Sequence, residues 1–175
     1  MARGRWMVLA GIATVALLLA MAPADERMQE TGGPGIVPFE LTFGQERADE
    51  ILAEWGEKGQ DAARESLWID FGFLLAYGAL LTLALGATRD LARERGWPRL
   101  AATGRFVVWF GALAAAFDAL ENACLLLTID DAGAAFPLLA SIFAACKFAL
   151  LAAALAYLLG GLGVRWRGRP QNAET

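Results

Sequence analysis

The sequence FVVWFGALAAAFDALENACLLLTI, residues 106–129, decides the fold of this chain. An α-helix needs roughly 20 residues to cross a hydrocarbon core, so the stretch is long enough. It is apolar on every side except for Asp118, Glu121 and Asn122. A helix on the surface of a soluble protein keeps one polar face along its whole length, and this stretch does not. We therefore interpret residues 106–129 as a membrane span that carries buried polar groups.

Three further stretches have the same apolar character, at approximately 6–22, 67–88 and 134–163. A short turn, Asp130 to Gly133, separates the last span from the one at 106–129, so these two spans must form an antiparallel hairpin. Apolar residues make up 57% of the chain and charged residues 19%, which also points away from an ordinary soluble protein. The sequence predicts an all-α integral membrane protein, a bundle of four transmembrane helices that forms one membrane domain over residues 1–175.

The charges between the spans predict how the bundle is oriented. Ten of the fifteen basic residues lie near the two termini or in the connection 89–105, including Arg165, Arg167 and Arg169 of the tail. Thirteen of the nineteen acidic residues lie in the loop 23–66 or in the turn 130–133. Basic loops stay in the cytoplasm, so we expect both termini inside (N-in, C-in) and the 23–66 loop outside the cytoplasm. The predicted location is the inner (plasma) membrane of a bacterial-type cell.

The first span has a second interpretation, as a secretory signal with a small-residue cleavage site at Ala20-Met21-Ala22. Pro23 follows that site directly and is a poor context for cleavage. We favour an uncleaved helix, and either interpretation places the following loop outside.

Two segments of the 23–66 loop have recognisable patterns. In residues 36–43, Phe39, Leu41 and Phe43 alternate with other residues and Pro38 disfavours a paired strand, so we expect an extended segment on the bilayer surface. Within 45–55, apolar residues recur at helical spacing and Gly56 provides a stop. The apolar positions are Ala48, Ile51, Leu52 and Trp55.

The helix predicted at 45–55 is amphipathic, and its polar face is acidic. Helices that rest on membranes usually have a cationic polar face. We therefore expect the apolar face of this helix to dock on the outer ends of the spans or on a partner protein.

Small residues at four-residue spacing predict faces where the spans approach closely. These faces are Gly78, Thr82 and Gly86 in the second span, Ala115, Ala119 and Ala123 in the third, and Ala145, Ala149 and Ala153 in the fourth.

Polar residues inside the spans are the candidate functional residues. Asp118, Glu121 and Asn122 stand at i, i+3 and i+4, so they share one helix face. The hairpin places Lys147 at a similar depth, which predicts an Asp118–Lys147 ion pair. Ionisable groups are costly within a bilayer, so they point to a function. The candidate ligand site comprises Asp70, Tyr77, Asp118, Glu121, Asn122 and Lys147.

The sequence leaves three roles open for this cluster. It could fix the register of the helices, as buried polar groups sometimes do. It could form a pocket for a ligand or a lipid headgroup. It could also move a proton or ion, or supply acid/base chemistry, because carboxyls and a lysine suffice for that in principle.

Composition excludes several classes of function. The chain has no histidine, which excludes histidine-based catalysis and haem or zinc sites that need imidazole. The two cysteines cannot build a four-cysteine metal site, and their different depths argue against a disulfide. We therefore predict no cofactor and no metal. The net charge of −4 argues against nucleic-acid binding.

The expected function is that of a non-catalytic accessory or scaffolding subunit in the membrane. Its expected partners are the lipid bilayer and either a membrane protein or a lipid-like ligand at an outer-facing polar pocket. The alternative is a small membrane enzyme or a proton-coupled carrier that uses the buried carboxyls and Lys147.

Overall fold

The computed structural model describes residues 2–167, with side chains as far as residue 163, and no strand occurs within this range. The helices are α1 (Ala2–Glu30), α2 (Ile36–Glu40), α3 (Gln45–Glu94), α4 (Pro98–Val107), α5 (Phe110–Ile129) and α6 (Phe136–Arg167). Four regions of the described chain are helical, long and apolar enough to cross a membrane: Ala2–Glu30, Gln45–Glu94, Pro98–Ile129 and Phe136–Gly163. The all-helical class and the four membrane-capable helices are therefore confirmed. Of the basic tail predicted after the fourth span, Arg169 lies outside the described residues.

Helix α1 extends further than the sequence indicated. It continues through Pro23 to Glu30, whereas we expected a loop from residue 23. A proline removes one backbone hydrogen bond, and membrane helices tolerate this loss. Ala24 and Met28 are buried in the last two turns, so packing stabilises the extension.

Helix α3 has two arms that meet at Gly56. This glycine has φ 56° and ψ −167°, a backbone conformation that L-residues with a side chain rarely adopt. The side-chain amide of Gln60 donates a hydrogen bond across the break to the carbonyl of Leu52 (3.0 Å). The first arm, residues 45–55, and its predicted end at Gly56 are thus confirmed. The long arm, 57–94, contains the second span.

Residues 36–43 are not an extended segment on the bilayer surface, and that prediction was wrong. Residues 36–40 form helix α2, whose first amide, that of Ile36, donates to the side chain of Asp25 (2.9 Å). Phe39 is buried, with its ring 4.9 Å from that of Trp55, while Leu41 and Phe43 are exposed. The alternation of Phe39, Leu41 and Phe43 therefore did not indicate which of these side chains are buried. We call residues 31–44 the strap. Residues 31–58, which add the first arm of α3 and the first two residues after Gly56, are the cap.

The cap packs on one end of the bundle. The apolar face of the first arm docks as predicted, with Leu52 half-buried and its other members buried, and the acidic face is exposed. The shared core joins residues of the cap to the ends of α1, α3, α5 and α6: Met28, Phe39, Ile51, Trp55, Leu67, Leu125, Ile129 and Ala140. Cap and bundle therefore form one packed body.

The bundle is built from two neighbouring pairs of helices. Helix α1 packs along α3, and α5 packs against α6 as the predicted antiparallel hairpin. The two pairs meet mainly where α3 contacts α5. There Gly78 and Thr82 of α3 lie against Gly111 of α5, so the small-residue face predicted for the second span is used.

The face predicted for the fourth span was wrong. Ala145, Ala149 and Ala153 are exposed on the surface of the bundle. Helix α6 instead turns inward the face that contains Ala140, Ala144, Lys147, Ala154 and Tyr157. Alanine occurs on every side of this helix, so the need to bury Lys147 beside carboxyls, and not residue size, sets its rotation.

Candidate functional site

Lys147 lies at the centre of a sealed polar cluster beneath the cap. Its Nζ is 2.7 Å from Oε2 of Glu121, 2.9 Å from Oδ1 of Asp118 and 3.6 Å from Oε2 of Glu40. The lysine side chain is 8% exposed, and that of Glu121 is 0% exposed. We call the four side chains of Lys147, Glu40, Asp118 and Glu121 the lysine cluster.

Two hydrogen bonds connect the polar face of α5 to the long arm of α3. The hydroxyl of Tyr77 donates to Oδ2 of Asp118 (2.8 Å). The side-chain amide of Asn122 donates to Oδ2 of Asp70 (2.6 Å). The six residues predicted from sequence thus lie together, and the Asp118–Lys147 ion pair is confirmed. Whether they bind a ligand stays a prediction.

The helices bring these residues together through simple periodicity. Three of them follow one face of α5, because residues at i, i+3 and i+4 lie one above another. Asp70 and Tyr77 are seven residues apart, two turns along the same side of α3. Lys147 comes from the middle of α6, the antiparallel neighbour of α5.

Sequence reasoning missed Glu40, the last residue of α2. Its backbone is held by Ser141 of α6, whose hydroxyl donates to the Glu40 carbonyl (2.8 Å). The same hydroxyl accepts a hydrogen bond from the amide of Phe43 (3.0 Å). The one available signal was an acid placed between Phe39 and Leu41, an unusual position for a solvated carboxylate. No local pattern connects residue 40 with residue 147.

Carboxyls outnumber amines in this site. Three carboxyls contact one ammonium group, and Asp70 adds a fourth nearby. Burying unbalanced charge costs several kcal/mol per ion, so at least one carboxyl holds a proton. Burial raises the pKa of Glu40 above its ordinary value, and the nearby Lys147 only partly offsets that effect.

The carboxyls of Asp118 and Glu121 differ in the hydrogen-bond donors that surround them. Asp118 receives one hydrogen bond at each oxygen, from Tyr77 and from Lys147. Both oxygens of Glu121 are buried. Its Oε2 pairs with the Lys147 ammonium at 2.7 Å, and its Oε1 has no partner among the described residues. Glu121 is therefore the carboxyl with an unsatisfied oxygen.

Two sizeable cavities lie away from the lysine cluster. An open apolar groove of about 630 Å³ runs between α3 and α5, past Gly78, Thr82 and Ala115. A polar depression of about 530 Å³ lies near Arg27, Lys58 and Asp61. Within the described residues, no three histidine, cysteine or acidic side chains are arranged to hold a metal ion. Cys124 and Cys146 are both free thiols.

Comparison of the chain with protein-family models, with curated proteins and with solved structures finds no match. The function of the chain is therefore inferred from the geometry of the lysine cluster and of the cap above it.

Proposed function

We propose that this protein is a non-catalytic scaffolding or accessory subunit of a membrane complex. One observation supports this above all: the lysine cluster is sealed, and it fastens the cap to the bundle. Glu40 from the strap and two carboxyls from α5 meet the same ammonium group. A catalytic site must be open to its substrate, whereas an ion-pair cluster that only holds the cap on the bundle can be buried completely.

In the proposed arrangement both termini and the basic connection 89–105 lie in the cytoplasm of a bacterial-type cell. The cap lies on the outer side of the inner membrane. The distribution of basic residues supports this orientation through the positive-inside rule. The cap fits the outer side by the same rule, because it carries only two basic residues, Arg47 and Lys58.

The acidic face of the first arm is the surface that we propose meets a partner. Its charged residues are exposed, namely Glu46, Arg47, Asp49, Glu50 and Glu54. Complementary charge speeds association and selects partners, so a basic segment of another membrane protein fits this face.

The test is co-purification in native lipid nanodiscs, with the proteins and lipids identified by mass spectrometry. We expect a second protein at fixed stoichiometry with the wild type. The double variant Glu46→Gln/Glu54→Gln should lose this protein. The matched control Glu26→Gln/Glu30→Gln, on exposed positions of α1, should keep it. A wild-type protein that purifies alone or with lipid only would contradict the scaffold function, as would a cap variant that retains the partner.

A second candidate is a proton-coupled carrier or small membrane enzyme. Two features favour it, the surplus of carboxyls over amines and the unsatisfied oxygen of Glu121, because such groups can bind and release protons. It predicts that Glu121→Gln folds normally and abolishes a proton-coupled activity in vesicles. The scaffold function predicts that the same variant keeps its partner.

A further inference from the structure

Glu40 and Glu121 are the two carboxyls of the lysine cluster with the fewest hydrogen-bond donors. Oε1 of Glu121 has no donor among the described residues, and its Oε2 meets only the Lys147 ammonium, at 2.7 Å. The Glu40 carboxyl lies 3.6 Å from the same nitrogen. Both carboxyls contact the same ammonium nitrogen, so they are immediate neighbours in the cluster. Two ionised carboxylates cannot hydrogen-bond to each other, since both only accept, whereas one proton between them supplies the donor that Oε1 of Glu121 lacks.

The neighbouring side chains offer little else that could stabilise two negative charges on Glu40 and Glu121. Four groups that face this pair from the packed helices have partners of their own, namely Asp70 and Tyr77 from α3, Asp118 from α5 and Lys147 from α6. The fifth, Cys124 from α5, is a free thiol and only a weak donor. One of them is cationic, and its charge is already shared with Asp118. A second buried anion beside Glu121 would be repelled.

The strap that carries Glu40 is held by few other contacts. Glycines occur near both its ends, at Gly32, Gly33, Gly35 and Gly44. Apart from Glu40, it is held by the Ser141 hydrogen bonds, by Asp25 at its start, and by Trp55, which packs on Phe39 and donates to the carbonyl of Pro34 (2.7 Å). Phe43 has φ 53°, a left-handed conformation that is unfavourable for a residue with a side chain. The closed strap is therefore strained at one end.

We propose that Glu40 and Glu121 share one bound proton, and that this proton latches the strap over the lysine cluster. Loss of the proton places two buried carboxylates side by side, and Glu40 leaves because it belongs to the strap. The closed strap favours the protonated pair, so its population falls as the pH rises through the pKa of the closed form. This latch goes beyond the scaffold function and does not depend on any partner.

Opening of the strap is measured by pulsed electron–electron double resonance in lipid nanodiscs, as the distance between two spin labels. One label is attached at Val37→Cys on the strap and the other at Ala132→Cys in the α5–α6 turn. Both native cysteines are removed by Cys124→Ala and Cys146→Ala. From acidic to alkaline pH, we expect a long-distance population to appear in this reference protein. Glu40→Gln and Glu121→Gln each replace the proton with an amide donor, so both should lose that population at every pH. Glu57→Gln, on an exposed carboxyl of the cap, should behave like the reference.

The proton itself is measured by infrared spectroscopy. A protonated-carboxyl band should be present in the wild type at acidic pH, disappear over the same pH range as the strap opens, and be missing in both glutamine variants. Two variants are used so that a folding failure in one leaves the other informative. An unchanged distance at all pH values overturns the latch, as does a glutamine variant that still opens. A band that survives in Glu121→Gln overturns the shared proton. None of these results bears on whether the protein co-purifies with a partner.

Discussion

Lys147 is the single cation among the buried groups of the site, and every neighbouring charge depends on it. Removing one member of a buried ion pair costs more than the pair contributes, because the remaining charge stays buried without a partner. Asp118 is the best-satisfied carboxyl, with a hydrogen bond from Tyr77 in addition to that from Lys147. A neutral group at position 118 could keep the Tyr77 hydrogen bond.

Replacing Lys147 with methionine should therefore lower the free energy of unfolding by about 3 kcal/mol. Asp118→Asn in the same chain should restore part of this loss, since it removes one orphaned charge. Unfolding in mixed detergent micelles measures both effects, and a double-mutant cycle gives the coupling. Lys58→Met, the same change at an exposed lysine of the cap, is the control and should shift stability by less than about 0.5 kcal/mol. Unchanged stability of Lys147→Met would disprove a stabilising ion pair.

The contrast between residues 118 and 40 shows what a sequence can reveal at this scale. Helical periodicity reports which residues share a face, so Asp118, Glu121 and Asn122 could be grouped in advance. The hairpin turn sets the depth of α6 against α5, which made Lys147 the predicted partner. Glu40 reaches the same lysine through the folded path of the strap, and that path depends on Ser141, Asp25 and Trp55 together. No periodicity encodes such a contact.

Helices α3 and α5 approach each other closely at Gly111. A Cβ atom on Gly111 would lie 2.7 Å from the backbone nitrogen of Thr82 and 2.8 Å from the carbonyl oxygen of Gly78. Backbone atoms of a packed helix cannot move aside cheaply. The two helix pairs of the bundle therefore depend on this glycine for their approach.

Gly111→Ala should destabilise the protein by about 2 kcal/mol, the usual range for overpacking a close contact. Gly11→Ala in α1 is the matched control, because a Cβ atom there would meet nothing within 4 Å. We expect the control to leave stability unchanged or slightly raised, since alanine is the better helix former. Thermal unfolding of both variants in one detergent provides the comparison. Equal melting temperatures would show that α3 and α5 can separate without penalty.

The lengths of the apolar runs predicted how many helices are long and apolar enough to cross a membrane, but not where each helix ends. Pro23 suggested a stop, yet the burial of Met28 extends α1 beyond it. Helix α2 has only five residues with Pro38 at its centre, too few to show a helical period. In α6, alanine on all sides left the inward face ambiguous. Tertiary packing decides each of these features, so local sequence could not.

At the scale of the whole molecule, the ends of the bundle differ in charge. The capped end exposes mainly carboxylates, and the opposite end carries the basic connection 89–105. Position 57 in the cap and position 99 in α4 are both exposed, so each can carry a reporter group.

The orientation of the bundle in the membrane can be measured with single cysteines introduced at Glu57 and Arg99. Cys124 and Cys146 are changed to alanine in the same chain. We expect a membrane-impermeant thiol reagent to label Glu57→Cys on intact cells, and to label Arg99→Cys only after the cells are broken. The opposite pattern would place the cap in the cytoplasm. Labelling of both positions after lysis serves as the control for reactivity.

The order of residues along the chain constrains how the lysine cluster assembles. Glu40, Asp70, Asp118 and Glu121 all precede Lys147. N-terminal segments generally fold first during synthesis. The ribosome therefore delivers four carboxyls before the one amine that pairs with the cluster. Helices α1 and α3 can pair early, but α5 cannot bury its acids as carboxylates until α6 has been made. Either the hairpin of α5 and α6 enters the bilayer as a unit, or the acids enter protonated and release protons when the lysine arrives.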